Sequence, residues 1–313
     1  MKILLTVDGS YYSNLATKTV EALHPSPQTE VSVMTVVPEH AFLGGITLSK
    51  LRATSSRKDV QQEKALTLLQ DTVQELNKTG LKTESLIKRG NPADEILKTA
   101  DEVKASLIVM GAKGLTSSLA FRLGSVAQTV MKYAVVSVLL VRQTIAITGH
   151  DAGTERKPGI IGINRVLVAT DGSEHSKMAI QFLLDLTLPR KCEVIVVTAL
   201  QSHLVSSHEE IKLPFQTDEK LLARLQTEEE YHAKRIIAGA EKQFKDRGYK
   251  TISEILKGGA AESILKAAHK YGPDIVVLGS RGLGVIERLF LGSVAERVAR
   301  YANCSVLIGR PSE

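Results

Sequence analysis

The sequence predicts an α/β protein built from two similar domains, each with a five-stranded parallel sheet that helices cover on both faces. Two observations lead to this prediction. The 313-residue chain repeats itself at long range, and each repeat alternates short apolar segments with segments of helical periodicity. Short, continuously apolar strands that alternate with helices are typical of a parallel sheet that is buried on both sides. A chain of this length also suits two domains of ordinary size.

The repeat covers most of the chain. When the sequence is shifted by 168 positions, residues 106–142 align with residues 274–310 without a gap, and 16 of the 37 aligned positions are identical. Near the start the shift is 163 positions, and there Asp8-Gly9-Ser10 aligns with Asp171-Gly172-Ser173. A period this long indicates a duplicated domain rather than a solenoid. We therefore expect domains at residues 1–142 and 165–313, the first and second halves, joined by a glycine-containing linker at 143–164.

Each element of the first half has its own signal. Lys2–Val7 is an apolar run that ends at Asp-Gly and predicts a strand, and Ser10 or Ser13 can cap the helix that follows it. Val31–Val37 is β-branched and apolar, which predicts a second strand. Asp59–Lys78 has apolar residues at helical spacing, which predicts a helix, and strands and helices alternate after it. In chain order these elements are Asp59–Lys78, Thr83–Lys88, Ala93–Val103, Ser106–Met110, Gly124–Tyr133 and Val135–Val141.

The second half repeats this order of elements. Its predicted strands are Arg165–Thr170, Glu193–Leu200, Thr251–Lys257, Asp274–Leu278 and Ser305–Ile308. Helical segments separate them, so five strands and four helices are expected in each half. Ligands of open parallel sheets bind outside the carboxyl ends of the strands, where the strand order reverses. The residues that follow the first, second and fourth strands of each half are therefore the candidates for function.

The composition excludes several classes of protein. Hydrophobic residues are 43% and charged residues 24% of the chain, values typical of a folded globular protein. The net charge of +6 is spread along the sequence, and aromatic residues are only 4%, so we expect no nucleic-acid partner. No apolar run approaches the length of a membrane span, and the first residues do not resemble a signal peptide. Two cysteines without a CxxC pair agree with the cytoplasmic location that we expect.

A glycine-rich loop follows the fourth strand of each half. Glycines let a backbone approach a ligand closely and permit positive φ, and the last glycine precedes a helix whose N-terminus suits a phosphate. Alternatively, the glycines only form a turn and the serine only caps the helix. Because both halves carry the pattern at identical spacing, we favour phosphate binding. The loop residues concerned are Gly111, Lys113, Gly114, Gly124 and Ser125 in the first half, and Gly279, Arg281, Gly282, Gly292 and Ser293 in the second.

An aspartate follows the first strand of each half, at Asp8 and Asp171. Its carboxylate can accept hydrogen bonds from a base amino group or from ribose hydroxyls. The alternative is a helix-entry turn, in which Asp-Gly-Ser is common. Because each aspartate is expected to face a phosphate-binding loop, the ligand-binding interpretation is at least as good as the helix-entry turn.

Other kinds of site have little support. The chain contains no GxxxxGK[ST] motif, and Gly282-Leu283-Gly284 lacks the third glycine of a dinucleotide fingerprint. His203 and His208 have poor spacing for a metal site. Glu228–Glu230 lies on an amphipathic helix and is expected to face solvent. We find no recognisable pair of nucleophile and base.

These residues resemble the universal stress protein family. The pattern G-x2-G-x9-G-[S/T] is that family's ATP-binding signature, and both loops meet it in full; Asp8-Gly9-Ser10 and Gly90-Asn91-Pro92-Ala93 also look like the family. The resemblance covers both halves, as a tandem form. It implies Rossmann-like (adenine nucleotide alpha hydrolase-like) domains with strand order 3-2-1-4-5. It also implies nucleotide contacts from the two loops and the two aspartates, and from Thr6, Val36, Met110, Val126, Ala169, Ala199, Leu278 and Val294.

The resemblance further implies a function. It indicates an ATP-binding stress-response regulator, with ATP bound with or without Mg²⁺. Efficient catalysis is not expected, because the sequence supplies no general base, and any ATP hydrolysis should be slow. The alternatives are a slow ATPase and a chaperone-like module that binds apolar ligands.

Two further expectations concern assembly and lids. The fifth strands, Val135–Val141 and Ser305–Ile308, lie at a sheet edge if the order is 3-2-1-4-5, and exposed apolar edges are normally covered. Because relatives with one domain commonly dimerise through this edge, we predict that the two halves pair there in a pseudo-twofold arrangement. A homodimer of the chain would then use other surfaces. The long segments His40–Lys58 and Gln201–Gln216 are predicted to be mobile lids beside the ligand.

Overall fold

Two copies of one α/β unit follow each other in the computed structural model. The structure describes residues 1–23, 28–38, 42–43, 46–47, 55–115, 123–143, 162–200, 219–282 and 291–311. The first half contains β1 (Lys2–Thr6), α1 (Tyr11–Ala22), β2 (Glu30–Val37), β3 (Phe42–Leu43), β4 (Ile46–Thr47), α2 (Ser55–Asn77), β5 (Lys82–Arg89), α3 (Pro92–Glu102), β6 (Leu107–Gly111), α4 (Ser125–Tyr133) and β7 (Ser137–Val141).

The second half repeats the unit. It contains β8 (Arg165–Ala169), α5 (Glu174–Asp185), β9 (Glu193–Leu200), α6 (Glu219–Asp246), β10 (Lys250–Lys257), α7 (Ala260–Tyr271), β11 (Ile275–Gly279), α8 (Ser293–Tyr301) and β12 (Ser305–Gly309). The predicted strands are confirmed, with ends that move by one or two residues. The prediction of helices on both faces is confirmed as well.

All of these strands except β3 and β4 join one ten-stranded sheet. Its order is β10-β9-β8-β11-β12-β7-β6-β1-β2-β5, so each half has the predicted order 3-2-1-4-5. Within each half neighbouring strands are parallel. The first, second and fourth strands of a half therefore end side by side at one edge of the sheet.

The two halves meet where β7 pairs with β12. This pair, which we call the seam, is antiparallel, with Leu139 opposite Leu307 and Val138 opposite Ile308. Both members of each pair are at most 1% exposed. The predicted pairing of the halves through their fifth strands is thus confirmed, and it gives the apolar edge of each half a partner.

The sheet is covered by a buried apolar cluster on each face. One cluster contains residues from β1, β8, α1, α5 and α6, such as Leu5, Val168 and Phe244. The other lies under α3, α4, α7 and α8 and includes Ile108 and Val276. Both clusters continue across the seam, so the apolar core runs from one half into the other.

Two features differ from the sequence predictions. The helix predicted to begin at Asp59 begins at Ser55, because a polar first turn gives no apolar periodicity. The short hairpin of β3 and β4, with Phe42 opposite Thr47, was not expected. It falls in the first predicted lid, whose remaining residues up to 54 lie outside the described part of the chain. The second predicted lid, Gln201–Gln216, lies wholly outside it.

Both cysteines are core residues beside strand starts. Cys192 is 1% and Cys304 is 0% exposed. Burial is the main reason that the pKa of each thiol is raised to about 12. The thiols are therefore protonated at neutral pH and poorly nucleophilic.

Candidate functional site

The turn after the first strand of each half is held by its own aspartate. Asp8 Oδ1 accepts a hydrogen bond from the Ser10 amide at 2.9 Å, and Asp171 Oδ1 accepts one from the Ser173 amide at 3.0 Å. Ser10 and Ser173 in turn cap α1 and α5 through their side chains. The helix-entry role of Asp-Gly-Ser is therefore real, and it uses one carboxylate oxygen of each aspartate.

The second oxygen of each aspartate faces the glycine-rich loop. A Cβ added at Gly114 would lie 2.7 Å from Asp8 Oδ2, and a Cβ at Gly282 would lie 2.7 Å from Asp171 Oδ2. In the first half the Leu115 amide also donates to Asp8 Oδ2, at 3.3 Å. Only glycine leaves room for so close an approach of loop and carboxylate.

The first glycine of each loop packs against a helix. A Cβ at Gly111 would lie 2.8 Å from Tyr12 Cβ on α1. A Cβ at Gly279 would lie 2.7 Å from the His175 carbonyl carbon on α5. The sequence suggested that these glycines let the backbone approach a ligand, but contacts within the protein already require them.

The glycine-rich loops do not use the positive φ that glycine permits. None of the six signature glycines has φ in the left-handed region. That conformation occurs instead in the Asp-Gly-Ser turns, with φ of 77° at Gly9 and 78° at Gly172. The signature glycines are needed because space is short, and Gly9 and Gly172 because the turn demands their backbone conformation.

The helices that follow the loops begin without a side-chain cap. Gly124 and Gly292 occupy the N-cap positions of α4 and α8 and offer no side-chain acceptor. By contrast, a serine or asparagine side chain caps α1, α3 and α5. The first bond of the α4 ladder joins the Gln128 amide to the Gly124 carbonyl at 2.8 Å, so the three preceding amides lie outside that ladder. This end of a helix, with its positive dipole, favours an anion.

In the second half these parts surround a cavity of about 670 Å³. It lies at the carboxyl edge of β8, β9 and β11 and is bounded by α6, α7 and the start of α8. Every second-half residue predicted for the site lines it: Ala169, Asp171, Ala199, Leu278, Gly279, Arg281, Gly282, Gly292, Ser293 and Val294. The structure therefore brings together residues that are more than one hundred positions apart in the sequence.

The first-half residues occupy the equivalent places at the carboxyl edge of their own half. Thr6, the last residue of β1, is in register with Met110 of β6, just as Ala169 of β8 is in register with Leu278. Val36 lies at the penultimate position of β2. The remaining predicted residues follow these strands in the loop and in the first turn of α4, namely Asp8, Gly111, Lys113, Gly114, Gly124, Ser125 and Val126.

The cations of the two loops have different surroundings. Lys113 is 7% exposed, and its Nζ lies 5.5 Å from the centre of the Tyr12 ring. Burial, followed by the nearby charge of Arg142, lowers the pKa of Lys113. Arg281 is half-buried and lines the cavity. The equivalence expected from the repeat therefore holds for sequence position but not for side-chain environment.

His175 stands where the first half has Tyr12. Its Nδ1 lies 3.4 Å from Ser280 Oγ. Burial, followed by the charge of Arg281, lowers the pKa of His175. The imidazole is therefore neutral at pH 7 and adds no charge to this side of the loop.

The contribution of α6 to the cavity was not predicted from the sequence. Glu229, His232, Ala233 and Ile236 line the cavity. The expectation that Glu228–Glu230 faces solvent is wrong for Glu229, which is half-buried, although its two neighbours are exposed. The spacing of these four residues, at i, i+3, i+4 and i+7, was the available signal, since it places them on one face of a helix. His203 and His208 lie outside the described residues.

Fold and site together define a two-domain α/β protein with a glycine-rich loop and an open helix N-terminus at the carboxyl edge of each half. The chain belongs to the universal stress protein family, because the sequence model of that family matches residues 1–142 and again 162–310. Its family role is in the stress response. The described residues contain no helix long and apolar enough to cross a membrane.

Known proteins agree with this assignment. A Staphylococcus aureus (strain USA300) relative, also named as a universal stress protein, is 28% identical over 157 residues, which are 49% of this chain and 88% of the relative. The crystal structure of a universal stress protein from Archaeoglobus fulgidus DSM 4304 is similar with a TM-score of 0.62 at 22% identity, covering 99% of this chain and 98% of that one. A functionally unknown protein from Pseudomonas aeruginosa PAO1 also has a TM-score of 0.62, at 16% identity, with 99% and 92% coverage. The two structures support the fold alone.

Proposed function

We propose that the chain binds ATP, with or without Mg²⁺, at the carboxyl edge of each half and acts as a nucleotide-dependent regulator in the cytoplasmic stress response. One observation carries the proposal. The second-half residues predicted from the signature all line one cavity of about 670 Å³, a volume within the range of small-molecule sites. The open N-terminus of α8 lies at the same cavity.

The residues present fit the parts of a nucleotide. The first-turn amides of α8 and the Ser293 hydroxyl suit phosphate oxygens, and Arg281 supplies a positive charge. Asp171 retains a carboxylate oxygen that can accept from ribose or from the adenine amino group. Ala169 and Leu278, both buried, offer apolar contact to a base. Bound Mg²⁺ would neutralise phosphate charge and would be held chiefly by phosphate oxygens.

Gly124→Glu should abolish the ATP site of the first half, and Gly292→Glu should abolish that of the second. The new carboxylate would stand at the helix N-terminus where phosphate is proposed to bind, and like charges at such contact cost several kcal/mol. We expect affinity at that site to fall at least about 100-fold. Calorimetry should therefore give two sites for the wild type and one for each variant. Unchanged stoichiometry in either variant would refute the assignment.

Alanine at the same positions is the matched control. Its Cβ at Gly124 would lie 3.4 Å from its nearest neighbours, and at Gly292 3.3 Å, so the neighbours need to move by only tenths of an ångström. The N-cap glycines have φ and ψ near −65° and 150°, which any residue adopts. Mass spectrometry of small molecules that copurify with the chain gives a second readout. Adenine nucleotide supports the proposal, whereas lipid supports the apolar-ligand alternative.

A second candidate function is slow ATP hydrolysis in the second half. The observation that favours it is Glu229, a half-buried carboxylate that lines the cavity and that could serve as a general base for water. The equivalent position of the first half, 168 residues earlier, is Gln61, which lacks a base. If Glu229 has this role, Glu229→Gln should lower turnover at least about 100-fold while ATP binding is retained. Equal turnover by Glu229→Gln and wild type would exclude the role.

A further inference from the structure

An arginine of the first half holds the site helix of the second half. Arg142 directly follows β7, and its Nη1 donates to the Ala302 carbonyl at 3.0 Å. Its Nη2 lies 3.5 Å from the Arg300 carbonyl, to which it also donates. These carbonyls belong to the last turn and C-cap of α8, the helix whose first residues line the cavity.

An arginine of the second half likewise donates to the site helix of the first half. Arg310 directly follows β12, and its Nη2 donates to the Met131 carbonyl in the last turn of α4 at 2.6 Å. The backbones beside both arginines are fixed by serines across the seam. The Arg142 amide donates to Ser305 Oγ at 3.1 Å, and the Arg310 amide donates to Ser137 Oγ at 3.2 Å. We call the two arginines, which are equivalent in the repeat, the arginine clasp.

Helix ends explain why arginine suits this place. The last carbonyls of a helix have no donors within it and form the negative end of its dipole, so a cation with several N–H groups satisfies and stabilises them. Burial lowers the pKa of Arg310 to about 10, so the side chain keeps its charge at pH 7. Arg310 is only 8% exposed, and a charged group on so buried a residue needs such partners.

Each clasp arginine also lies near the glycine-rich loop of its own half. After burial, the charge of Arg142 is the next cause of the lowered pKa of Lys113. In the second half, the charge of Arg281 is the next cause, after burial, of the lowered pKa of Arg310. One arginine therefore interacts electrostatically with the loop of one candidate site and by hydrogen bonds with the helix of the other.

We propose that Arg142 and Arg310 are positioning residues that fix the site helix of the opposite half, and thereby couple the two candidate sites across the seam. The coupling of ligands rests on the proposed function, whereas the fixing of the helices does not. A helix of nine residues moves as a short rigid rod, so a shift at its phosphate end reaches its clasped end.

Hydrogen exchange in the absence of nucleotide tests the fixing of the helices. Lysine keeps the charge but loses the planar fork of donors. Arg142→Lys should speed amide exchange in α8 about fivefold and leave α4 unchanged, and Arg310→Lys should do the reverse. Equal effects on both helices, or no effect on either, would overturn the proposal. Circular dichroism of both variants checks that they are folded.

Binding of MgATP tests the coupling. Gly124→Glu or Gly292→Glu, each expected to abolish one site, leaves a chain with one site to titrate. When only the second-half site remains, Arg142→Lys should weaken binding about fivefold, and Arg310→Lys should change it less than about twofold. When only the first-half site remains, the two arginines should exchange roles. Equal losses at both sites mean a general structural role and overturn the coupling. If neither one-site chain binds nucleotide, the proposed function fails and the exchange data alone decide the clasp.

Discussion

Lysine in place of Val138 should unfold the chain or separate its halves. Val138 is 0% exposed and lies in the seam between Ile108 of β6 and Ile308 of β12. Burial there would depress the pKa of a lysine by about 3–5 units, and each unit corresponds to about 1.4 kcal/mol. The expected loss of stability is therefore about 4–7 kcal/mol, comparable to the whole stability of many domains. Val306→Lys, on the other side of the seam, should have a similar effect.

Chemical denaturation followed by circular dichroism measures the loss. Small-angle scattering and circular dichroism together distinguish unfolding from separation of the halves. Separated halves keep their ellipticity while the radius of gyration increases. Val135→Lys is the matched control, since Val135 is 62% exposed and lies just before the same strand. It should change stability by less than about 0.5 kcal/mol. Wild-type denaturation and scattering for both seam variants would show that the seam contributes little.

Alanine in place of Gly309 should destabilise the second half by about 3 kcal/mol. The added Cβ would lie 2.4 Å from both Cα and Cβ of Ala179, so the backbone of α5 must move away from β12. Overpacking of this kind costs about 1–3 kcal/mol and more when backbone is displaced. The midpoint of thermal or denaturant unfolding gives the effect directly.

The control for this variant is the same substitution at Gly239. That glycine lies in α6 with nothing within 4 Å of an added Cβ. Alanine there should stabilise the chain by about 0.5–1 kcal/mol, because glycine is unfavourable in a helix interior. Opposite signs for the two variants are the expected result. If Gly309→Ala is as stable as wild type, the packing of α5 against β12 is looser than the structure indicates.

The fold could be predicted because its signals are local and repeated. Buried parallel strands are continuously apolar, as in Ile275–Leu278, and this can be recognised without knowledge of their neighbours. The duplication also helped to place elements whose own sequence signal is weak, since each element could be compared with its equivalent in the other half. The ends of the strands can be predicted as well, and ligands of parallel sheets bind at those ends. Asp171, Gly279 and Gly292 could therefore be assigned to the candidate site.

What the sequence did not predict depends on contacts between distant segments. Glu229 was assigned to a solvent face because helical periodicity separates polar from apolar residues and does not identify a cavity. The requirement for glycine at Gly111 comes from Tyr12, almost one hundred residues earlier, and no property of the loop itself indicates it. Arg142 and Arg310 are identical in the repeat, but only the antiparallel seam shows that each reaches the other half.

The antiparallel direction of β7 and β12 also decides where the two sites open. Because the strands of one half point opposite to those of the other, the carboxyl edges of the halves lie at opposite ends of the sheet. The molecule is therefore bipolar, with one candidate site at each pole. A partner that docked at one pole would touch a single candidate site, and two partners could dock together without competing for the same surface.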